Sequence, residues 1–183
     1  QGKLDKAILN FKKAISLKPD YVNAYYNSSY AYNLKGDLQN GLQLYEWRLK
    51  KKQFSTRNPR DHLIWNRNKS LIEKKFFVYE EQGLGDTIQF SRYLLLLKQK
   101  GAKVTFKVQK KMHTLLRTLD DDIILVDIEP DVNDIDFETP LMSLPHLFNT
   151  SLNTIPSMNS YLSVDHYKVI TWGKRLKKST FKV

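Results

Sequence analysis

The N-terminal part of the chain contains an internal repeat, and this feature limits the possible folds more than any other. Residues of similar type recur at a distance of 34 positions: Gly2 and Gly36, Ala7 and Gly41, Phe11 and Tyr45. A period of this length is typical of helix pairs that stack on their neighbours, because one pair cannot bury its hydrophobic face alone. The small residues let two helices approach closely, and the aromatic residues fill the space beside them. The sequence therefore predicts helical hairpins here.

The repeat resembles the tetratricopeptide repeat (TPR). Five residues match its turn glycine, small, aromatic, second small and closing proline positions: Gly2, Ala7, Phe11, Ala14 and Pro19. The next copy continues the pattern at Tyr25, Tyr32, Gly36, Gly41 and Tyr45. We therefore predict the second helix of one repeat, from Leu4 to Leu17, and one whole repeat, from Val22 to Lys51. An ordinary helical hairpin is the alternative.

The second copy departs from the TPR pattern in two places. Ser28 and Ser29 replace the usual Leu-Gly pair, and Arg48 replaces the last small residue. The change at Arg48 predicts that the array ends there, because a terminal repeat need not accept another helix. The TPR resemblance implies a protein or peptide partner bound in a concave groove, of which one and a half repeats form only a small part.

A change of pattern after residue 51 predicts a second domain. Residues 52–74 are rich in turn formers and are predicted to be a linker, with Trp65 packed between the two parts. From Lys75 onward strands and helices alternate: strands at 76–79, 104–108 and 123–126, helices at 87–100 and 112–119, and the start of a fourth strand at 136–138. This order predicts a parallel sheet with helices on both faces. We also predict a helix at 166–176, with Trp172 on its buried side, and another strand from Phe181.

The turn after the first strand is the candidate site, because ligands of open α/β sheets bind at the carboxyl ends of the strands. Its sequence, residues 80–86, is Glu-Glu-Gln-Gly-Leu-Gly-Asp. The glycines allow a sharp turn, and the following helix start favours anions. The turn is not a dinucleotide fingerprint, because Ile88 stands where the third glycine belongs. Nor is it a phosphate-binding P-loop, which ends in Gly-Lys-Ser/Thr.

Two interpretations of Asp86 follow from its place at the predicted helix start. The first is an N-cap, in which the carboxylate accepts hydrogen bonds from free amides of the first turn. The second is a general base that takes the proton from an attacking hydroxyl group. The amide bonds of a cap would lower the carboxyl pKa and so oppose the second interpretation.

Two segments together carry a second resemblance. Residues 81–93 and the proline-containing stretch 138–162 resemble bacterial TPR proteins fused to a glycosyltransferase-like domain, which are related to heptosyltransferases and O-linked N-acetylglucosamine transferases. The resemblance implies an α+α/β fold in which residues 1–51 are TPR hairpins, 52–74 a linker and 75–183 a Rossmann-like domain. That domain would be the N-terminal, acceptor-side half of a GT-B fold, and a second domain would bind the nucleotide-sugar.

The resemblance also implies roles for particular residues. Asp86 would be the catalytic base, Gly83 and Gly85 would shape the acceptor pocket, and Gln82, Gln89 and Arg92 would lie near its rim. His146 is a further candidate for substrate binding, although a half-buried surface histidine is the alternative. The implied mechanism needs no metal and no cofactor other than the nucleotide-sugar donor, and the acceptor would be a glycan or protein hydroxyl. The alternative function is a non-enzymatic TPR scaffold with a degenerate α/β domain.

Composition excludes several other classes. The chain has no cysteine, which excludes disulfides, zinc–thiolate sites and thiol catalysis. Its formal charge of +11 raises nucleic acid as a partner, but the lysines are spread over nearly every segment, so solvated surface is the better interpretation. The four histidines are scattered, which argues against a metal site. We predict no membrane span and a cytoplasmic location, because no apolar run is long enough to cross a bilayer and no signal peptide is visible. The chain also reads as an internal piece of a longer protein, inactive without its donor domain.

Overall fold

The computed structural model of the 183-residue chain describes residues 2–51, 59–157 and 160–176. Its first part, residues 2–51, is called here the TPR segment after the repeat that the sequence predicts, and it consists of three α-helices: α1 (Leu4–Leu17), α2 (Val22–Leu34) and α3 (Leu38–Tyr45). A short 3-10 helix, Glu46–Lys50, continues α3. The helices pack as α1 on α2 and α2 on α3, which confirms the predicted hairpins.

The close approach of α2 and α3 explains the small residue at position 41. A Cβ atom added to Gly41 would lie 1.9 Å from Asn33 Oδ1 and 3.0 Å from the Asn33 backbone nitrogen. The tight turn between the helices is made by Gly36, whose φ of +86° is unfavourable for residues with a side chain. Asp37 then caps α3 by accepting a hydrogen bond of 3.2 Å from the Asn40 amide.

We expect Gly41→Ala to destabilise the TPR segment. The new methyl group would force the Asn33 side chain aside and crowd its backbone, at a cost of about 1–3 kcal/mol that the better helix propensity of alanine offsets by at most about 1 kcal/mol. Urea unfolding followed by circular dichroism measures the difference. Gly85→Ala is the matched control, because a Cβ there meets no atom within 4 Å. Equal stability of the two variants would contradict the packing argument.

The second part contains a four-stranded parallel sheet. Its strands are β1 (Lys75–Tyr79), β2 (Lys103–Lys107), β3 (Ile124–Val126) and β4 (Phe137–Pro140), in the order β3-β2-β1-β4. In the sheet Phe76 pairs with Val104 on one side and with Phe137 on the other. The helices are α4 (Leu84–Gln99), α5 (His113–Leu116), α6 (Leu144–Leu147) and α7 (His166–Leu176). The predicted alternation of strands and helices is therefore confirmed.

One hydrophobic core joins the sheet to its helices. Phe76 and Val78 of β1 share this core with Leu94 and Leu97 of α4 and with Leu116 of α5. Helix α4, which follows β1, and helix α5, which follows β2, therefore pack on the same side of the sheet. Between β3 and β4 the described chain forms only the short 3-10 helix Val132–Asp134, so the predicted helix layer on both faces is not seen at this crossover.

Two tryptophans differ from the sequence-based predictions. Trp65 does not pack between the two parts of the molecule. It is 3% exposed inside the α/β core, where its ring lies against Phe76 and Phe148. Trp172 is 55% exposed, and Leu176 on the same helix is 58% exposed. The prediction of a buried side for α7 is therefore wrong for the described residues. The strand predicted from Phe181 lies outside them.

The strand order defines where a ligand crevice belongs. The chain passes from β1 to β2 on one side, whereas β4 joins β1 on its other side, so the direction of strand order changes between β1 and β4. Crevices of open parallel sheets form at such a switch point, beyond the carboxyl ends of the strands. Here that edge carries the turn after β1 and the turn after β4, and the end of the TPR segment packs against both.

Candidate functional site

The turn after β1 leads directly into α4. This helix begins at Leu84, so Asp86 lies inside its first turn, and of the two interpretations of Asp86 the N-cap is wrong in its position. Its Oδ2 atom accepts a hydrogen bond of 3.1 Å from the Gly83 amide, and the Thr87 amide donates back to the Gly83 carbonyl at 3.0 Å. Asp86 therefore stabilises the helix start from within, as the acidic residue of a capping box does.

Backbone geometry alone requires neither glycine of the turn. Gly83 has φ of −70° and ψ of 167°, an extended conformation open to any residue. A Cβ atom on Gly85 would meet no protein atom within 4 Å. The expectation that the glycines permit a sharp turn is wrong, and their role in shaping an acceptor pocket stays a prediction.

A cavity of about 350 Å³, called here the Asp86 cavity, brings three of the predicted site residues together. Gln82, Asp86 and Gln89 line it from the α/β side. The rest of its wall includes residues of the TPR segment: Tyr30, Asn33, Leu42 and Tyr45. The two sides meet through the Gln82 side-chain amide, which donates a 2.8 Å hydrogen bond to the Tyr45 hydroxyl.

The TPR segment contributes the polar residues Tyr45 and Asn33 to the lining of this cavity. Burial raises the pKa of Tyr45, although its hydrogen bond with Gln82 opposes the effect, so the hydroxyl stays protonated at neutral pH. Asn33 Oδ1 is buried and has no hydrogen-bond partner in the described chain. This oxygen lies close to where a Cβ atom on residue 41 would be, so it packs against Gly41 in the contact between α2 and α3.

Arg48 joins the TPR segment to the carboxyl edge of the sheet. Its side chain is completely buried and forms a two-pronged ion pair with Glu81, with Nε–Oε2 and Nη2–Oε1 distances of 2.9 and 2.6 Å. Nη1 pairs with Glu46 at 2.6 Å, and Nη2 donates to Ser143 Oγ at 2.8 Å. Ser143 in turn donates to Glu46, and Met142 donates its amide to Glu81. The turns after β1 and β4 are thus held by one guanidinium group.

The charge of Arg48 survives its burial. Burial disfavours the guanidinium ion, but the charges of Glu46 and Glu81 and their hydrogen bonds outweigh that effect and raise the Arg48 pKa above its ordinary value. Sequence reasoning recognised Arg48 only as the residue that ends the repeat. It missed Glu81 as its partner, because the contact joins positions 33 residues apart in different folding units.

The Arg92 side chain is held by contacts with Pro156 and Tyr161. Its Nη1 donates to the Pro156 carbonyl at 3.2 Å, and its guanidinium lies over the Tyr161 ring at 4.7 Å from the centroid. It lines a second cavity of about 240 Å³, next to Gln89, Phe90 and Ile155. Arg92 therefore ties α4 to the segment that carried the second resemblance, and it stands beside the Asp86 cavity without lining it.

His146 lies apart from Asp86, in a third cavity with Arg67. Burial lowers its pKa, and the nearby cations Arg67 and Arg48 lower it further, against the opposing charge of Glu46. The imidazole is therefore neutral at physiological pH. Leu42 lines all three cavities, which follow one another along the junction between α3 and the α/β part.

We expect His146 to make stability depend on pH below about 6.5. The unfolded chain binds a proton at the ordinary histidine pKa of 6.5, whereas the folded chain does so only at lower pH, so stability is present above pH 6.5 and falls as the pH drops. Melting temperatures measured from pH 7.5 to 5.5 test this. His146→Gln should flatten the decline, whereas the same change at the exposed His166 should not. A wild-type slope in H146Q would contradict the assignment.

The described residues contain no cluster of three or more histidine, cysteine or acidic side chains suited to a metal ion. Within the same part of the chain, no helix combines the length and apolar character needed to cross a bilayer.

Comparison with known proteins identifies the helical part. Residues 1–44 match the family model described as TPR repeat. The first part of the molecule is therefore a TPR segment, which suggests a role in protein interaction, and it is attached to a parallel α/β sheet. No curated protein and no solved structure matches the chain.

Proposed function

We propose that this chain is the acceptor-side half of a TPR-containing glycosyltransferase with a GT-B architecture. The observation that carries the proposal is the Asp86 cavity, which gathers Gln82, Asp86 and Gln89 beside the switch point of the sheet. These are three of the residues that the resemblance to glycosyltransferase-like proteins singles out. We also propose that the α/β part is a Rossmann-like domain.

Asp86 would act as general base. Its carboxylate takes the proton of an acceptor hydroxyl, the hydroxyl oxygen attacks the anomeric carbon, and the bond to the nucleoside diphosphate breaks. A second domain would bind the nucleotide-sugar, and the step needs no metal ion. Among the described residues the Asp86 carboxylate accepts one hydrogen bond, at Oδ2, which leaves Oδ1 for the acceptor.

The walls of the cavity suggest a protein acceptor. Tyr30, Asn33 and Tyr45 reach the cavity from the TPR segment, so a peptide bound to TPR helices would have a direct route to Asp86. A glycan hydroxyl could enter the same cavity, since its polar lining suits either acceptor.

A non-enzymatic scaffold is the second candidate, favoured by the capping contact of Asp86 and by the interaction role of TPR segments. Asp86→Asn in the full-length protein distinguishes the two. Loss of sugar transfer with unchanged stability supports the transferase, and unchanged partner binding without any transfer by the wild type supports the scaffold.

A further inference from the structure

The third cavity, called here the Arg67 cavity, has a volume of about 550 Å³ and lies between α3 and the end of α6. Carboxamide, hydroxyl and cationic side chains make up most of its lining: Gln39, Asn40, Gln43, Arg67, His146, Asn149 and Thr150, with Leu42 beside them. Arg67 carries a positive charge in this wall, and none of the described residues that line the cavity is a carboxylate.

Neutral groups hold the Arg67 guanidinium in place. Nη1 donates to Asn149 Oδ1 at 2.5 Å, and Nη2 donates to the His146 carbonyl at 2.7 Å and lies 3.2 Å from His146 Nε2. In the His146 tautomer with its proton on Nδ1, these contacts use three of the five N–H groups and leave one on Nε and one on Nη1 for a ligand. Among the described residues Arg67 has no ion-pair partner, so its charge is oriented but not neutralised.

The backbone around this group is strained. Arg67 has φ of +69° and Asn149 has φ of +49°, both in the left-handed region that side chains disfavour. These two residues contact each other through the hydrogen bond just described. Strain of this kind persists where the surrounding structure requires a particular side-chain position, and it is concentrated at binding sites.

We infer that the Arg67 cavity is a binding site for a carboxylate side chain of an acidic peptide. The charged guanidinium can donate a charge-assisted hydrogen bond from a free N–H group to a carboxylate. Gln39 and Gln43 belong to α3, and a carboxamide both donates and accepts, as a peptide backbone requires, whereas the Asn40 carboxamide already donates to Asp37 Oδ2 at 2.7 Å. The chain's net charge of +11 also attracts an acidic partner.

A nucleic-acid phosphate fits the cavity less well. Proteins bind single-stranded nucleic acid by stacking its bases on aromatic side chains and placing several cations along its backbone. Among the described residues this lining offers one cation, Arg67, and one aromatic ring, the imidazole of His146. The inference does not depend on sugar transfer. A carboxylate site on the junction would serve a transferase or a scaffold equally.

The test compares two fluorescent hexapeptides of alternating glycine with either glutamate or glutamine, titrated against the whole chain by anisotropy. We expect the glutamate peptide to bind at least about tenfold more tightly, the typical gain from a charge-assisted hydrogen bond. Arg67→Gln should remove this preference. Arg117→Gln removes the same charge from an exposed position and should leave binding within about twofold of the wild type. Equal binding of both peptides, or equal effects of R67Q and R117Q, would overturn the inference.

A second measurement uses the wild-type chain and so does not depend on the folding of R67Q. Nuclear magnetic resonance resolves the imidazoles of the four histidines, and His146→Gln identifies the signal of His146. The glutamate peptide should shift the His146 signal and leave those of His62, His113 and His166 in place. An unmoved His146 signal at saturating peptide would refute the assignment, because the imidazole contacts Arg67 directly.

Discussion

Arg48→Met is expected to lower the free energy of unfolding by about 3–5 kcal/mol, the usual cost of leaving a buried charge without its partner. The side chain of Glu81 is only 4% exposed, and that of Glu46 is 26% exposed. Without Arg48, Glu81 must either stay ionised in a buried site or take up a proton. Methionine fills a similar volume, so the loss reflects charge more than a cavity.

Urea unfolding measures the effect, and two controls sharpen it. Lys35→Met breaks the ion pair of Lys35 with Asp5, which is exposed on both sides, and should leave stability nearly unchanged. The double variant Arg48→Met/Glu81→Gln should recover part of the loss, because it removes the uncompensated carboxylate. If R48M is as stable as K35M, the buried ion pair does not join the two parts of the molecule.

The same variant bears on function, because Glu81 belongs to the turn that carries Asp86. Its Oε1 atom accepts from Arg48 and from the Met142 amide, which fixes the turn after β1 to the turn after β4. Loss of Arg48 would remove the contacts that hold Glu81 to the TPR segment and leave it the hydrogen bond from the Met142 amide, so the turn that leads to Asp86 would be held less firmly. Arg48 is therefore a positioning residue in the proposed site.

The elements that depend on local pattern could be predicted from the sequence. The bounds of α1 and the succession of β1 to β4 along the chain follow from periodicity, turn formers and the closing proline, all of which act over a few residues. The start of α4 was placed three residues late, because glycines at 83 and 85 resemble a loop when the reciprocal contact of Asp86 is unknown. That contact changes Asp86 from a flanking cap to a residue of the first helical turn.

Contacts between the two parts could not be predicted in this way. The pairing of Arg48 with Glu81 depends on how the TPR segment meets the sheet, which no local pattern encodes. The amphipathic pattern of α7 correctly predicts a helix but cannot say what covers it, and Trp172 is more than half exposed in the described chain. The sequence carries one indication of this contact: Arg48 stands where the repeat pattern has a small residue.

Asp86→Asn is expected to reduce sugar transfer by about 10²–10⁴-fold in the full-length protein, the typical contribution of a general base. The change is almost isosteric, and the asparagine Oδ1 can still accept the hydrogen bond from the Gly83 amide. Helix α4 should therefore keep its start, and the melting temperature should stay close to that of the wild type. A large loss of transfer at unchanged stability separates the chemical role of Asp86 from its structural one.

Transfer of a radiolabelled sugar from a set of nucleotide-sugars to protein and glycan acceptors measures this effect. Asp37→Asn is the matched control, because Asp37 also accepts a hydrogen bond at a helix start but lies outside the Asp86 cavity. Asparagine is a good cap at that position, so D37N should transfer at the wild-type rate. Equal rates for D86N and D37N would exclude Asp86 as the base while leaving open which residue removes the proton. An unchanged affinity of D86N for its protein partner would then leave Asp86 only its contribution to the start of α4, because its carboxylate would neither remove a proton nor bind the partner.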